Sequence, residues 1–236
     1  GIPRVKHYDH IGYFPNEDML LYPHVLIKNG QTHKADANGR IYIPGENFAY
    51  KVDMTNYPFK KRNFFFHNKI LKPDLKQQII QAFCDIIGDE DNYLGLLGLG
   101  YAGATIFSDH IFDKYGELPI LGPMGKTESG KTTYLKFLFN IFGLDIVPDL
   151  FTQVTPVLLM RYMDFLYNIP YWLDEYGKVG EKNRISSEQV KGLYNRSTGN
   201  RGKTTGGVNF QINSTFILSG EMLTEEEGEI GRMILM

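Results

Sequence analysis

Two hydrophobic periods divide this chain. Over residues 1–66 the apolar residues come in short runs, Leu21–Lys28 and Arg40–Pro44, rich in residues that favour strands. Asn29-Gly30 and Asn38-Gly39 lie between these runs and supply the positive-φ positions that hairpin turns need. A β-rich N-terminal region is expected. Tyr57-Pro58 and Lys60-Lys61-Arg62 mark a solvated connection after it. From Pro73 the period becomes helical: Leu75, Ile79, Ile80, Phe83 and Ile87 fall on one face, proline can open the helix and Gly88 can end it. A second helix is expected over about 91–114. Within it, Tyr93–Phe107 is fifteen residues without a charge, and it carries Gly95, Gly98, Gly100 and Gly103. That run is shorter than the roughly 18–20 apolar residues a membrane span needs, so it predicts a core helix packed closely on a neighbour. No membrane contact is expected.

From residue 118 strands and helices alternate. Leu118–Leu121 is a short apolar strand ending at Gly122-Pro123, and Thr132–Phe142 is an amphipathic helix closed by Gly143. Thr155 is an N-cap with Pro156 at the first helical position, which predicts a helix to about Tyr167. Tyr171–Leu173 reads as a buried strand, Ser186-x-x-Gln189 as a capping box for a helix to Tyr194, and Thr215–Leu218 and Met233–Met236 as further strands. This alternation predicts an α/β fold with a mostly parallel sheet between helical layers over 67–236, preceded by the β-rich 1–66. Ending inside an apparent buried strand, the chain reads as a fragment of a longer protein.

Composition changes this picture little. The chain has 236 residues, 42% of them hydrophobic and 22% charged, enough to bury a sizeable core. A net charge of −2 weakens the case for a module that binds nucleic acid alone, though a ring lining its channel with a few basic residues needs no basic total. Cys84 is the single cysteine, which excludes an internal disulfide and a cysteine-built zinc site. Its apolar neighbours predict a buried thiol and fit a reducing, cytoplasmic setting. His7 and His10 have no second ligand pair at metal spacing, and no secretory signal pattern opens the chain.

The candidate chemistry begins at Gly125-Lys126-Thr127-Glu128-Ser129-Gly130-Lys131-Thr132, which fits Gly-x₄-Gly-Lys-Ser/Thr without a gap. It lies between an apolar strand and an amphipathic helix, the setting in which the pattern has meaning. Glycines let backbone N–H groups turn around a β-phosphate, and the helix N-terminus adds partial positive charge. Lys131 is placed to bridge β- and γ-phosphates, the Thr132 hydroxyl to ligate Mg²⁺, and Thr133 continues the binding segment. Tyr171-Trp172-Leu173-Asp174-Glu175 is a hydrophobic strand ending in two acids. Asp174 can hold Mg²⁺ through water beside Thr132, and Glu175 can polarise a water for attack on the γ-phosphate. Two acids favour a hydrolase over a small-molecule kinase, and the lack of an Asn-Lys-x-Asp string favours ATP over GTP. Ser219 ends the strand Thr215–Leu218; it either orients the attacking water or simply opens a Ser-Gly turn. Arg232 precedes the last strand and either reaches a neighbouring subunit's γ-phosphate or is a surface arginine.

Together these residues resemble the ATPase domain of the Cch-like replicative helicases carried by plasmids, phages and cassette elements, an AAA+ group akin to the MCM helicases. The resemblance runs through Gly125–Thr132, Asp174-Glu175, Leu218-Ser219-Gly220-Glu221 and Gly231-Arg232, and includes Ile11-Gly12-Tyr13-Phe14 and Leu20-Leu21-Tyr22-Pro23 near the start. It implies a P-loop ATPase in a ring, hexameric by expectation, with Ser219 as first sensor and Arg232 as a finger acting on the next subunit. Ser219 stands where the family carries Thr or a similar residue. The resemblance also implies that 195–213 holds a hairpin pointing into the ring. There Arg201 and Lys203, flanked by Gly199, Gly202, Gly206 and Gly207, suit a tip touching the phosphates of single-stranded DNA; a polar surface loop is the other reading. The expected function is an ATP-driven DNA helicase or translocase. The alternative is an ATPase that remodels protein partners without nucleic acid.

Overall fold

The structure is a computed structural model and describes residues 4–55, 63–64, 73–86, 93–177, 185–196, 211–221 and 227–236. It is a mixed α/β arrangement with one parallel sheet and several helices.

The N-terminal residues build an antiparallel meander, Ile11–Phe14, Met19–Tyr22, Val25–Lys28 and Gln31–Lys34. Asn29 and Gly30 turn between the last two strands at φ 52° and 69°, the left-handed pair that a two-residue hairpin requires. The expected single run Leu21–Lys28 is instead two strands, with Tyr22 paired to Val25 across Pro23-His24. Proline has no N–H to give a ladder, and hydropathy alone does not mark the break. A second small sheet pairs Arg4–Tyr8 in parallel with Phe48–Val52, which Ile41–Tyr42 joins antiparallel.

The meander is continued by the C-terminal half. Leu166–Tyr167 pairs in parallel with Ile11 and Gly12, so the helix that begins at Pro156 stops at Phe165 and not at Tyr167. Gly12 makes this possible: at φ 129°, a Cβ there would lie 1.9 Å from the Tyr167 carbonyl oxygen. The Tyr22 hydroxyl donates to the Phe142 carbonyl at 2.6 Å, a second tie between the halves.

The expected helix over 91–114 is two helices, Tyr93–Ile106 and Ser108–Tyr115, broken at Phe107. Ser108 is buried, and its hydroxyl bonds to Asn168, 60 residues further along the chain, an anchor that local periodicity does not reveal. Gly95 and Gly98 of the first helix are buried, but Tyr93 is 72% and Leu96 49% exposed among the described residues, so only one face of that helix packs. Among the described residues no helix is long and apolar enough to cross a membrane. The backbone of Pro73–Ile86 is helical as expected, while the Cys84 side chain and Gly88 lie outside the described residues.

The parallel sheet runs in the spatial order Asp149–Leu150, Pro170–Tyr176, Thr215–Gly220, Ile120–Gly122, Met233–Leu235. Its inner strands are buried, as parallel strands covered on both faces must be. Trp172, fully buried, stacks on Phe139 of the helix Lys131–Ile141, with ring centroids 5.8 Å apart at 17°. Such aromatic pairs add about 0.5–1.5 kcal/mol beyond the area they bury. The cap signals hold: the Thr155 hydroxyl accepts from the Leu158 N–H, and Ser186 and Gln189 form a reciprocal capping box for Ser187–Tyr194.

Candidate active site

In a parallel sheet every strand ends on the same edge, and here three neighbouring strands bring their C-terminal ends together: Ile120–Gly122, Thr215–Gly220 and Pro170–Tyr176. The glycine-rich loop leaves the first of them, Ser219 closes the second, and Asp174 and Glu175 lie on the third.

The root of the loop is clamped on both sides. The Gly125 N–H donates to the Gly220 carbonyl at 3.1 Å, the Gly220 N–H to the Pro123 carbonyl at 3.3 Å, and the Met124 N–H to the Met236 carbonyl at 2.9 Å. Gly220 is required by close approach, since a Cβ there would lie 2.3 Å from the Tyr176 carbonyl oxygen. Within the loop Glu128 at φ 66° and Gly130 at φ 86° turn the chain left-handed, and the helix Lys131–Ile141 starts at once. The Lys131 ammonium folds over the loop: its three donors meet the Gly125 and Lys126 carbonyls, both at 2.6 Å, and Ser129 Oγ at 3.0 Å. Lys126, Thr127, Glu128, Ser129, Thr132 and Thr133 are exposed. The Thr127 hydroxyl donates to the Glu221 carboxylate, which latches the loop to the chain beyond Ser219.

The two acids sit in a bulge. The register runs Leu173 to Leu218 and resumes at Tyr176 with Gly220, so Asp174 and Glu175 together oppose Ser219 alone. Bulges re-aim side chains beside reactive sites. Glu175 takes φ 61°, a conformation that costs a non-glycine residue about 1–2 kcal/mol and is held by the surrounding pairing. Asp174 Oδ1 accepts from the Glu175 N–H at 2.9 Å and from the Ser219 hydroxyl at 2.6 Å. Ser219 Oγ in turn accepts the Trp172 indole N–H at 2.7 Å. The Ser219 proton is thus directed at Asp174. Trp172 was not singled out from the sequence; the signal was present, because residues two apart on a strand share a face and Asp174 follows Trp172 by two.

Arg232 is not brought to this site. Its carbonyl accepts from the Ile120 N–H at 2.9 Å, which puts it at the start of its strand, on the sheet edge opposite the loop. Its guanidinium donates to the Gly228 carbonyl and lies 5.4 Å from the Tyr194 ring centroid, while its buried Nε has no hydrogen-bond partner among the described residues. Burial and then a hydrogen bond to Glu117 raise the Tyr194 phenol above its ordinary value. Arg201 and Lys203 lie outside the described residues.

What holds the two ends of that segment is described, and centres on Arg196, a residue the sequence did not point to. Its guanidinium pairs with Asp109 at 2.6 Å, donates to Ser108 Oγ at 2.7 Å and to the Asn213 carbonyl at 3.0 Å, and covers the Phe112 ring at 4.1 Å. Asn213 is on the far side of 197–210, so one arginine ties both flanks to the core. Burial and then Asp109 push the neighbouring Tyr167 phenol up to about 12.

Among the described residues no group of three or more His, Cys, Asp or Glu could enclose a metal by itself. The donor set at the loop, one hydroxyl at Thr132, one carboxylate at Asp174 and backbone N–H groups at a helix start, is of the kind that shares a hard cation with an anionic ligand and water.

No protein-family model matches the chain, and no curated protein matches it. Among solved structures, the apo A-form structure of the C-terminal region of NrS-1 is similar at 14% identity and a TM-score of 0.36, over 95% of this chain and 57% of that one. The chain therefore spans little more than half of that structure's length. Likeness at this level leaves the reading of the site to its own geometry.

Proposed function

We propose that this chain is a P-loop nucleoside triphosphatase and the motor part of an ATP-driven DNA helicase or translocase. The observation that carries the first half is the convergence of Gly125–Thr132, Asp174, Glu175 and Ser219 at the C-terminal ends of three adjacent parallel strands, where open α/β sheets bind ligands. The residues fit Mg²⁺–ATP. Left-handed turns at Glu128 and Gly130 shape the cradle, Lys131 holds its positive charge over it, and Thr132 and Asp174 would hold the cation, Asp174 through water. When bound there, the cation would neutralise charge on the phosphates.

On this reading the Lys131 ammonium exchanges the Gly125 and Lys126 carbonyls for phosphate oxygens. Ser219 holds the Asp174 carboxylate in one orientation. Glu175, beside it, takes a proton from the attacking water, work worth roughly 10²–10⁴ in rate. Arg232 acts on a neighbouring subunit's nucleotide, a role its position on the opposite sheet edge supports over action on its own. The DNA contact through Arg201 and Lys203, and the hexameric ring, rest on the sequence pattern alone.

The test is ATP hydrolysis with and without single-stranded DNA, in the wild-type protein and in Lys131→Ala. Hydrolysis that DNA stimulates and Lys131→Ala abolishes is the expected result. Loss in the mutant without any response to DNA would keep the ATPase and replace the DNA motor by a protein-remodelling machine. No hydrolysis in the wild type would refute both.

A further inference from the structure

We propose that Trp172 is a positioning residue for the Asp174 carboxylate and acts through Ser219; the proposal rests on the ATPase reading above and deepens it. Trp172 is the only tryptophan of the chain and is 0% exposed. Its indole N–H donates to Ser219 Oγ at 2.7 Å, and the Ser219 hydroxyl donates to Asp174 Oδ1 at 2.6 Å. The direction of this relay is forced. An indole nitrogen only donates and an ionised carboxylate only accepts, so the hydroxyl between them must accept from the first and donate to the second.

Ser219 is 1% exposed, so water does not compete for its proton. A hydroxyl with a single partner can turn about its C–O bond. One that must also receive the indole proton has its own proton aimed at Asp174. The Glu175 N–H lands on the same Oδ1 at 2.9 Å, and two donors on one oxygen fix the torsion of the carboxylate. The indole itself cannot swing, because Phe139 stacks on it from the helix whose first turn carries Lys131 and Thr132. One buried ring therefore sets the orientation of the acid against the helix that carries the cation's other protein ligand. Phenylalanine would fill most of this volume and stack in the same way, but has no proton to donate. A buried indole N–H needs an acceptor in any case, so the alternative is that Ser219 merely satisfies Trp172. The two differ in what they do to Mg²⁺.

The experiment compares wild type, Trp172→Phe, Ser219→Ala and the double variant in the full chain. Four quantities are read: emission of the single tryptophan in wild type and Ser219→Ala, the Mg²⁺ concentration for half-maximal ATP hydrolysis, kcat, and KM for ATP. Loss of the acceptor in Ser219→Ala is expected to shift the emission to shorter wavelength. Trp172→Phe is expected to raise the Mg²⁺ midpoint roughly fivefold, the effect of one net hydrogen bond, and to lower kcat with KM for ATP little changed. Adding Trp172→Phe to Ser219→Ala should change neither value further, since the relay is already broken. A folded Trp172→Phe with wild-type Mg²⁺ midpoint and kcat overturns the proposal, and so do additive effects in the double variant. Unchanged emission in Ser219→Ala refutes the hydrogen bond itself, whatever the protein catalyses. Should Trp172→Phe fail to fold, Ser219→Ala decides alone: shifted emission with a raised midpoint supports the relay, and an unchanged midpoint overturns it. A wild-type protein without Mg²⁺-dependent hydrolysis removes the reading beneath the proposal, whereas hydrolysis indifferent to Trp172 removes the proposal only.

Discussion

The glycines of the helix Tyr93–Ile106 are alike in sequence and unlike in surroundings, which allows a sharp test of its packing. A Cβ built on Gly98 would lie 1.6 Å from the Tyr134 hydroxyl oxygen and 2.6 Å from its Cζ, while Gly100 and Gly103 have nothing within 4 Å among the described residues. Tyr134 cannot move aside cheaply. It is 1% exposed, its hydroxyl donates to the Gly95 carbonyl at 3.1 Å, and it lies in the first turn of the helix that begins at Lys131. Gly98→Ala therefore overpacks the contact, at about 1–3 kcal/mol. It also displaces a hydrogen bond worth about 1 kcal/mol net. Against this stands the helix propensity of alanine, about 1 kcal/mol. The balance is a loss of about 2 kcal/mol, which lowers Tm by roughly 4–8 °C in a chain of this size. Gly100→Ala and Gly103→Ala keep only the propensity term and should raise Tm by roughly 2–4 °C. Thermal unfolding followed by circular dichroism reads all three. Adding Tyr134→Phe to Gly98→Ala should recover less than half of the loss, because the ring carbon still lies 2.6 Å away. If Gly98→Ala is no less stable than Gly103→Ala, the packing of these two helices is wrong as described.

Gly12→Ala should lose about 3 kcal/mol, combining overpacking with strain at positive φ, because its Cβ meets the Tyr167 carbonyl at 1.9 Å; a urea midpoint within error of wild type would sink this. Arg196→Ala breaks the 2.6 Å ion pair to Asp109 and should cost about 3 kcal/mol, with a smaller added cost when Asp109→Ala is combined with it; a loss under about 1 kcal/mol would show the pair to be incidental. Burial raises the Glu17 carboxyl, but hydrogen bonds from Lys6 and Tyr8 outweigh it and hold it below its ordinary value of 4.5. Its contribution to stability is therefore present above about pH 4.5 and is lost as pH falls through the lowered value, so Glu17→Gln should flatten the acid limb of a urea-midpoint profile; an unchanged limb counts against the assignment.

The glycine-rich loop, the paired acids at a strand end, the capping box at Ser186 and the Asn29-Gly30 turn were all readable along the chain. Each depends on backbone chemistry within a few residues, so a short window contains the whole cause: Gly130 turns the chain left-handed and the helix starts at the next residue. Contacts between distant residues left no such trace. The interruption at Phe107 depends on Ser108 reaching Asn168, and the early end of the helix at Phe165 on Leu166–Tyr167 pairing with Ile11 and Gly12. Parallel neighbours share no turn, so no local signal announces that the Ser219 strand lies between the loop strand and the acid strand. That order determines what the candidate site can do. The residue types that suit a phosphate and a cation were set by the sequence alone. The joining of Trp172, Ser219 and Asp174 into one hydrogen-bonded relay, and the removal of Arg232 to the opposite edge, were decided by sheet topology, because only the three-dimensional order of strands determines which strand ends meet.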